Sequence, residues 1–249
     1  MRNIIIGDVH GCLFELKALL ERCNLQRTDK IFFIGDLIDK GPDSVGVVKF
    51  VYKLSKSYNV RLILGNHEEK FLRYLRNKKL NPKALKEMII SPDFLTLEEN
   101  LTTEELNYLH QSNYSFRIPD LNVLLLHGGL PGTCKLKFDV DYRYDIHSPK
   151  EFKYLDLITK TRYINERGDF ISLGMEDEAS LFWADVYDGE LGTILFGHQP
   201  FFEEKPILYN NAIGIDLGCV FGGNLLAYII DTDGECWEKE KALKNYVTK

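Results

Sequence analysis

Five short apolar runs in this chain each end at a motif that combines glycine with Asp, Asn or His. The runs are Ile4 to Ile6, Ile31 to Ile34, Val60 to Leu64, Val123 to Leu126 and Thr193 to Phe196. The motifs that follow them are Gly-Asp-Val-His-Gly, Gly-Asp-Leu-Ile-Asp, Gly-Asn-His-Glu, His-Gly-Gly and Gly-His. Runs this short and β-rich are typical of buried strands in an α/β sheet, and ligands bind at the carboxyl ends of such strands. We therefore predict that the five motifs form one site.

Apolar residues at helical spacing follow the first three motifs. They form three groups, at positions 13–23, 47–54 and 71–75. Asp43 and Ser44 are good N-cap residues for the second helix. Later apolar runs at 207–216 and 225–231 predict strands of a second sheet. The alternation of strand and helix from end to end predicts a single α/β domain over residues 1–249.

The third helix is predicted to begin near His67, inside the Gly-Asn-His-Glu motif. Its free N–H groups and positive dipole end would favour a phosphate at that position. Glu68 and Glu69 lie in its first turn, where we expect them to stabilise the helix through its dipole.

Two segments depart from the alternation of strand and helix. Residues 78–114 combine Lys-, Asn- and Pro-rich connections with short helical stretches, and Thr102 with Glu105 offers a capping box. We interpret this segment as a helical insertion within the domain. Residues 135–150 are irregular and carry Asp139, Asp141, Arg143, Asp145 and His147. Mixed charge is typical of a solvated loop, but both segments follow strands with motifs, so they are candidates for the walls of a substrate site.

Composition limits the partners and the compartment of the protein. A formal net charge of −6 gives no basic surface for a nucleic-acid backbone, so we expect no nucleic-acid partner. No apolar run approaches the ~20 residues of a membrane helix, and the first strand is predicted from Asn3, so we expect neither a membrane span nor an export signal. Five cysteines without a Cys-x-x-Cys pair favour reduced thiols, and hence a cytoplasmic location.

In this order, the five motifs resemble those of the calcineurin-type metallophosphoesterases, in particular the phosphoprotein phosphatase branch, over residues 3–232. A single Gly-Asp or Gly-His pair marks an ordinary turn, but five in order, each after a strand, are specific. The resemblance implies a four-layer α/β fold in which two packed mixed β-sheets are flanked by helices. It also implies a phosphoester-hydrolysing enzyme.

The resemblance implies two divalent metal ions, with Asp36 as the ligand that both share. It assigns the remaining ligands as Asp8 and His10 for one ion and Asn66, His127 and His198 for the other. Mixed Asp, His and Asn sets suit Mn, Fe or Zn better than Mg or Ca, so we expect manganese, with Fe, Co, Zn or Ni as alternatives. Two such ions can hold a phosphoryl group and lower the pKa of a shared water.

His67 directly follows the ligand Asn66, and the resemblance makes it the general acid that protonates the departing oxygen. Asp39 is its expected orienting partner, although the alternative role of Asp39 is that of a loop cap. Its position three residues after Asp36 favours the catalytic role.

Phosphate-binding residues are implied at Lys40, Arg162 and Asn66. Lys40 occupies a position where the phosphatase pattern usually has arginine, so the charge is kept but the planar fork is lost. Arg162 lies in the segment Thr159 to Tyr163, which resembles the Thr-Arg-x-Arg segment of the symmetrical dinucleoside polyphosphatases with Lys160 in place of the first arginine. The alternative for Arg162 is a solvated cation at a helix end.

The substrate is the least determined property. Segments 182–189, 197–200 and 215–223 resemble bacterial symmetrical bis(5'-nucleosyl)-tetraphosphatases and bacterial serine/threonine protein phosphatases alike. We favour symmetrical cleavage of diadenosine tetraphosphate to ADP over the dephosphorylation of a phosphoprotein. Against this order, some symmetrical hydrolases have alanine where Asp39 stands. A catalytically inactive metal-binding module is the remote alternative, and the complete set of ligand positions argues against it. Trp183 is either part of a base-stacking platform or a core residue.

Overall fold

The computed structural model describes residues 1–138, 142–144 and 149–247. Its helices are α1 (Leu13–Cys23), α2 (Ser44–Leu54), α3 (Asn66–Leu80), α4 (Pro92–Asn100), α5 (Thr103–His110), α6 (Pro149–Ile158) and α7 (Trp183–Val186). Two 3₁₀ helices occupy Pro82–Glu87 and Pro119–Leu121. Asp139, Asp141, Asp145 and His147 of the predicted 135–150 loop lie outside the described residues.

The strands are β1 (Asn3–Ile6), β2 (Lys30–Phe33), β3 (Asn59–Leu62), β4 (Ser115–Ile118), β5 (Val123–Leu126), β6 (Tyr163–Ile164), β7 (Phe170–Ile171), β8 (Leu181–Phe182), β9 (Thr193–Phe196), β10 (Ile207–Leu208), β11 (Ala212–Gly214), β12 (Asn224–Asp231) and β13 (Gly234–Lys241). They form two mixed five-stranded sheets, with orders β13-β12-β1-β2-β3 and β10-β11-β9-β5-β4, and a small sheet β7-β6-β8.

The alternating direction of side chains along the central strands explains how the two large sheets pack. Ile5 of β1 belongs to an apolar cluster with Leu125 of β5 and Leu195 of β9, so this cluster joins the sheets. Ile4 and Ile6 face the other way, because successive side chains of a strand point to opposite faces. They belong to the cluster that includes the inner residues of α1. The predicted fold, two packed mixed sheets flanked by helices, is confirmed.

The predicted sheet for residues 225–231 was wrong. Strand β12 pairs antiparallel with β1, with Ile4 opposite Ile229, so it belongs to the first sheet. The strand itself was evident, because its apolar run is typical of a central strand of either sheet, but pairing across more than 200 residues leaves no local signal. Strand β13 was not predicted, since its sequence is highly charged and it forms an edge of the sheet. The run at 207–216 does belong to the second sheet, as β10 and β11.

The segment predicted as an insertion contains the 3₁₀ helix Pro82–Glu87, α4 and α5. The predicted capping box of α5 is present. The hydroxyl of Thr102 accepts from the backbone N–H of Glu105 at 3.3 Å, and the Glu105 carboxylate accepts from the Thr102 N–H at 2.8 Å. Its status as an insertion into one domain stays a prediction. Across the described residues, no helix combines the length and apolar character that crossing a membrane requires.

The small sheet had no counterpart in the sequence predictions. Its strands are two residues long, and β6 pairs antiparallel with both β7 and β8. Trp183 follows β8 and is 1% exposed, and its ring centroid lies 4.9 Å from that of Phe196. Of the two alternatives for Trp183, the structure therefore supports the core residue.

Candidate active site

The loops that carry the motifs adopt backbone conformations that most residues avoid. Among the described residues, seven other than glycine have φ in the left-handed region. Five of the seven are His10 (45°), Asp36 (49°), Asp39 (71°), Lys40 (68°) and His198 (66°). Such strain concentrates at functional sites, where the surrounding structure maintains it. Part of that support is the His10 N–H, which donates to the carbonyl of Asp36 at 2.7 Å.

Ligand atoms from separate loops converge on the carboxylate of Asp36. They form two groups, each with its atoms within 4.8 Å of one another: His10, Asp36 and His67, and then Asp36, His127 and His198. Nε2 of His10 lies 3.4 Å from Oδ2 of Asp36, and Nε2 of His127 lies 3.3 Å from Oδ1. Asp36 thus offers one oxygen to each group, as a ligand shared by two metal ions would.

The remaining predicted ligands lie beside these groups. The two carboxylate oxygens of Asp8 accept from the backbone N–H of His198 at 3.2 and 3.1 Å. Oδ1 of Asn66 lies 3.1 Å from Nε2 of His127. The structure therefore brings all six predicted ligands together. The first group contains His67 where the sequence placed Asp8, so the choice of Asp8 as the ligand there stays a prediction.

Backbone carbonyls orient two of the histidines. Nδ1 of His10 lies 3.0 Å from the carbonyl oxygen of Ile38, and Nδ1 of His127 lies 2.7 Å from that of Ile34. Because a carbonyl oxygen can only accept, each Nδ1 carries a proton. Nε2, which faces Asp36, is then the nitrogen available to a metal, and metal-binding histidines are commonly held in this way.

Three buried carboxylates concentrate negative charge in the site. Asp8, Asp36 and Asp216 are each at most 5% exposed. Burial, reinforced by the charge of Asp216, raises the pKa of Asp8 well above its usual range. Burial alone would lower the pKa of His127, but Asp36 and Asp8 outweigh it and raise that pKa to about 9. The donor set and its charge fit divalent cations, because buried carboxylates require compensation.

Glycine is required beside the ligands because the side chains approach the backbone so closely. A Cβ at Gly65 would lie 2.2 Å from Oδ1 of Asp36, and one at Gly197 would lie 2.1 Å from Oδ1 of Asp8. Neither carboxylate could keep its position against a larger residue. This explains why the ligand motifs contain glycine at these positions.

His67 and Asp39 form a close pair at the edge of the metal centre. Nδ1 of His67 lies 2.8 Å from Oδ2 of Asp39, and the two side chains are 16% and 19% exposed. Burial alone would raise the pKa of Asp39, but hydrogen bonds from His67 and Ser91 outweigh it and hold the pKa well below its usual range. An ionised Asp39 fixes the His67 ring with its Nδ1 proton toward the carboxylate. The other nitrogen, Nε2, lies 3.8 Å from Oδ2 of Asp36.

The predicted phosphate-binding cations both reach the site. Nζ of Lys40 lies 3.0 Å from Nε2 of His10. Nη2 of Arg162 donates to the carbonyl of His198 at 2.7 Å, whereas its buried Nε has no hydrogen-bond partner among the described residues. Arg162 is therefore not a solvated helix-end cation. Its guanidinium is fixed beside a candidate ligand and retains an unsatisfied donor.

Glu68 has a larger role than the predicted dipole interaction. Its buried carboxylate accepts from the backbone N–H groups of Asp36 at 2.8 Å, Ile38 at 3.1 Å and Gly65 at 3.1 Å. One side chain thereby fixes the loop of Asp36 to the N-terminus of α3. The position of Glu68 directly after Asn66 and His67 could have indicated this role. An acidic residue in the first turn of a helix is common, however, so the sequence offered no reason to expect more.

Asp216 was not predicted as a site residue. It lies close enough to Asp8 to raise that residue's pKa, and burial raises the pKa of Asp216 itself to about 6. Its Oδ1 accepts from the N–H of Gly218 at 2.9 Å. An Asp that follows an apolar run and precedes a glycine-containing turn is the same signal that identified the other motifs, so the sequence could have identified it.

A cavity of about 410 Å³ opens at the metal centre. It is lined by Lys40, Asn66, His67, Lys160, Arg162, Phe170, Ile171, Ser172, Leu173, Glu176 and His198. The small sheet and its loop supply much of this lining. The predicted insertion instead contributes Ser91, which donates to Oδ1 of Asp39 at 2.8 Å.

Known proteins resemble the chain over nearly its whole length. It is 33% identical over 240 residues to an asymmetrical bis(5'-nucleosyl)-tetraphosphatase PrpE of Oceanobacillus iheyensis, covering 92% of this chain and 88% of the relative. It is 35% identical over 264 aligned positions to a symmetrical bis(5'-nucleosyl)-tetraphosphatase of Pectobacterium atrosepticum, covering 90% of each. A crystal structure of a candidate diadenosine tetraphosphatase superposes with a TM-score of 0.72 at 29% identity, covering 97% of this chain and 93% of that chain.

The family model for calcineurin-like phosphoesterases matches residues 1–235. Members of this family are hydrolases that depend on a dinuclear metal centre. The two groups of ligand atoms that share Asp36 agree with such a centre. The chain belongs to the calcineurin-like phosphoesterase family.

Proposed function

We propose that this enzyme hydrolyses diadenosine tetraphosphate symmetrically, releasing two molecules of ADP. The observation that carries the proposal is Arg162, which lines the cavity and is fixed beside the candidate metal centre by its hydrogen bond to the carbonyl of His198. Lys40 and Lys160 line the same cavity. A polyphosphate chain extends beyond the two metals and so requires further cations, whereas a simple monoester requires fewer. The names of the bacterial relatives support this substrate class and include both modes of cleavage.

Six side chains would hold the two cations, which we expect to be manganese, with Asp36 shared between them. Asp8 and His10 complete one site, and Asn66, His127 and His198 complete the other. When bound, the cations would neutralise phosphoryl oxygens and lower the pKa of a shared water. The carbonyls of Ile34 and Ile38 keep the histidine rings in the orientation that this requires.

The protein groups around the metals perform the remaining work. Water attacks one of the two central phosphorus atoms, loses a proton to solvent and remains on one ADP, while the bond to the central bridging oxygen breaks and that oxygen leaves with the other ADP. His67 donates the proton that the departing oxygen accepts, and the ionised Asp39 orients the imidazole for this transfer. Arg162, Lys40 and the amide of Asn66 bind phosphoryl oxygens as their negative charge increases.

Product analysis tests this proposal directly. The purified, Mn-loaded enzyme is incubated with diadenosine tetraphosphate, and the nucleotides are separated by ion-exchange chromatography. Symmetrical cleavage gives ADP alone, and asymmetrical cleavage gives AMP and ATP in equal amounts. Asp36→Asn, which we expect to lose both metals, is prepared in parallel and controls for a contaminating hydrolase. No nucleotide product from the wild-type enzyme would reject the proposal, and equal AMP and ATP would reject its symmetrical form.

The His67–Asp39 pair supports a second candidate, a protein phosphatase. An alkoxide leaving group such as that of phosphoserine needs protonation, whereas ADP is a far better leaving group and needs it less. Retention of Asp39 therefore suits a phosphoprotein substrate. Phosphoserine and phosphotyrosine peptides belong in the same assay. Rapid release of phosphate from a peptide, without turnover of the dinucleotide, would reverse the order of the two candidates.

A further inference from the structure

The cavity at the metal centre combines cationic and apolar lining. Lys40, His67 and His198 belong to the part at the metals, and Phe170 and Leu173 belong to the apolar part. Two cations connect these parts. The guanidinium of Arg162 donates to the backbone carbonyl of His198, and Nζ of Lys160 lies 5.7 Å from the centroid of the Phe170 ring. Lys160 also forms an ion pair with Asp156 at 2.5 Å, which compensates part of its charge, so Arg162 is the main cation between the metal centre and the apolar surface.

The apolar lining is fixed relative to these cations. Strand β6 begins directly after Arg162 and pairs with β7, with Tyr163 opposite Ile171 and Ile164 opposite Phe170. The carbonyl of Arg162 accepts from the N–H of Trp183 at 3.0 Å, which anchors the small sheet to the core. A ligand that binds the cations would therefore find Phe170 at a constant position.

The chemistry of this part of the lining favours an uncharged ligand group. Leu173 remains 75% exposed although it lines the cavity, so its apolar surface is available to a ligand. The carboxylate of Glu176 lines the same region and accepts from the N–H of Gly174 at 2.7 Å. A carboxylate repels phosphate but tolerates a group with N–H donors. The phosphates of a ligand would therefore stay with the cations.

We propose that Phe170, Ile171 and Leu173 form a binding surface for the nucleobase of a nucleotide whose phosphates lie against Arg162, Lys160 and the metals. This extends the proposed function, since it takes the nucleotide to be the substrate. A nucleobase offers flat apolar faces and N–H groups, and it stacks on aromatic side chains. A cavity of about 410 Å³ suits a small molecule, whereas an extended peptide requires a groove along its backbone.

Calorimetric titration of the Mn-loaded enzyme with ADP and with inorganic diphosphate tests the base site. The wild-type protein should bind ADP about tenfold more tightly than diphosphate, because stacking adds to the phosphate contacts. Phe170→Ala and Leu173→Ala should each remove most of that difference and leave diphosphate binding unchanged. Phe170→Trp should preserve it. Leu208→Ala truncates a leucine on β10 that is 68% exposed, and it should change neither affinity.

Two results would overturn the proposal. Equal affinities of the wild-type protein for ADP and diphosphate would show that the base is not bound. A loss of phosphoserine-peptide affinity in Phe170→Ala and Leu173→Ala, with ADP binding unchanged, would assign the surface to a peptide. Because Leu173 is largely exposed, its variant retains the test if Phe170→Ala fails to fold.

The binding measurement is independent of the proposed reaction. If diadenosine tetraphosphate is not hydrolysed but ADP still binds more tightly than diphosphate through Phe170, the base site stands and the proposed substrate fails. If the dinucleotide is hydrolysed but its KM is unchanged in Leu173→Ala and ADP shows no advantage, the reaction stands and the base site fails.

Discussion

The hydroxyl of Ser91 donates a hydrogen bond of 2.8 Å to Oδ1 of Asp39. Ser91 lies in the predicted insertion and Asp39 in the loop after β2, so two distant segments meet at the partner of the candidate acid. The same segment also supplies Asp93, whose carboxylate accepts from the Asp39 N–H at 2.9 Å. These contacts hold Asp39 in its left-handed conformation, with φ of 71°. We therefore expect this segment to affect catalysis by positioning Asp39.

Ser91→Ala should lower kcat for an alkyl phosphate about tenfold while the metal content stays unchanged, because a hydrogen bond to a charged group is lost. Ser91 helps to hold the pKa of Asp39 below its usual range. Its removal raises that pKa, so Asp39 becomes protonated at a higher pH as the solution is acidified. The acidic limb of the kcat profile should therefore move to higher pH. Kinetics across pH, with metal analysis, measure both effects.

Thr102→Ala is the matched control for this variant. Ser91 caps α4 and Thr102 caps α5, so each substitution removes a helix cap worth about 1 kcal/mol of stability. Equal losses of kcat in the two variants would show that Ser91 acts only through folding.

Local patterns were sufficient to predict that the motif residues meet at one edge of the sheet, but not which side chains hold their loops in place. Asp36 and His127 follow buried strands, and the ends of such strands meet, so their proximity could be inferred without a structure. The hydrogen bond from Ser91 to Asp39 spans 52 positions and joins two irregular segments. No periodic pattern in the sequence indicates such a contact. Glu68 was identified as a helix-stabilising residue, and its bond to the Asp36 N–H depends on how two loops pack.

The apolar lining of the cavity was not predicted for a different reason. Phe170 and Ile171 form a two-residue strand, too short for any alternation to be recognised. Strand β12, which was predicted in the wrong sheet, shows that sheet membership is equally invisible in a local sequence pattern. Its apolar run predicts a central strand, and only the pairing of Ile4 with Ile229 determines which sheet contains it.

His67→Ala should retain the metals while kcat falls by roughly 10² to 10⁴ for an alkyl phosphate, because general-acid catalysis is lost. The loss should be much smaller for p-nitrophenyl phosphate, whose leaving group needs no proton. Steady-state kinetics with both substrates, together with metal analysis, test the assignment. An equal loss for both substrates would argue against the acid role.

Asp36→Asn should be the most damaging single ligand substitution, because its two oxygens serve both ligand groups. We expect the purified protein to lose metal from both sites and activity to disappear. Asp29→Asn is the control, since Asp29 is also a buried carboxylate but pairs with Arg2 at 2.6 Å. Metal content is measured by plasma mass spectrometry. An active, metal-free preparation of either the wild type or Asp36→Asn would contradict a two-metal mechanism.

Glu68→Gln should destabilise the protein by about 1 to 3 kcal/mol, because one of its oxygens becomes an NH₂ group that faces backbone donors. Metal affinity should fall as well, since the loop of Asp36 loses its anchor. Glu69→Gln, at the next position of α3, changes a similarly buried carboxylate that pairs with Arg73. It should retain its metals. Denaturant unfolding and metal titration distinguish the two variants.

Arg162→Ala should raise the KM for diadenosine tetraphosphate about tenfold and have a smaller effect on p-nitrophenyl phosphate. The reason is that a long polyanion extends to cations beyond the metals, whereas a monoester is held mainly by the metals. Lys40→Ala should raise the KM for both substrates, and Lys40→Arg should preserve or improve phosphate binding, since arginine adds a bidentate donor.

Arg117→Ala controls for the loss of a structural arginine. Like Arg162, Arg117 donates to backbone carbonyls, those of Phe138 and Leu191, but these lie outside the lining of the active-site cavity. Its removal should leave both KM values unchanged. If Arg162→Ala raised the KM of both substrates equally, its role would be to hold the loop of His198 in place through the His198 carbonyl. It would then not bind the polyphosphate.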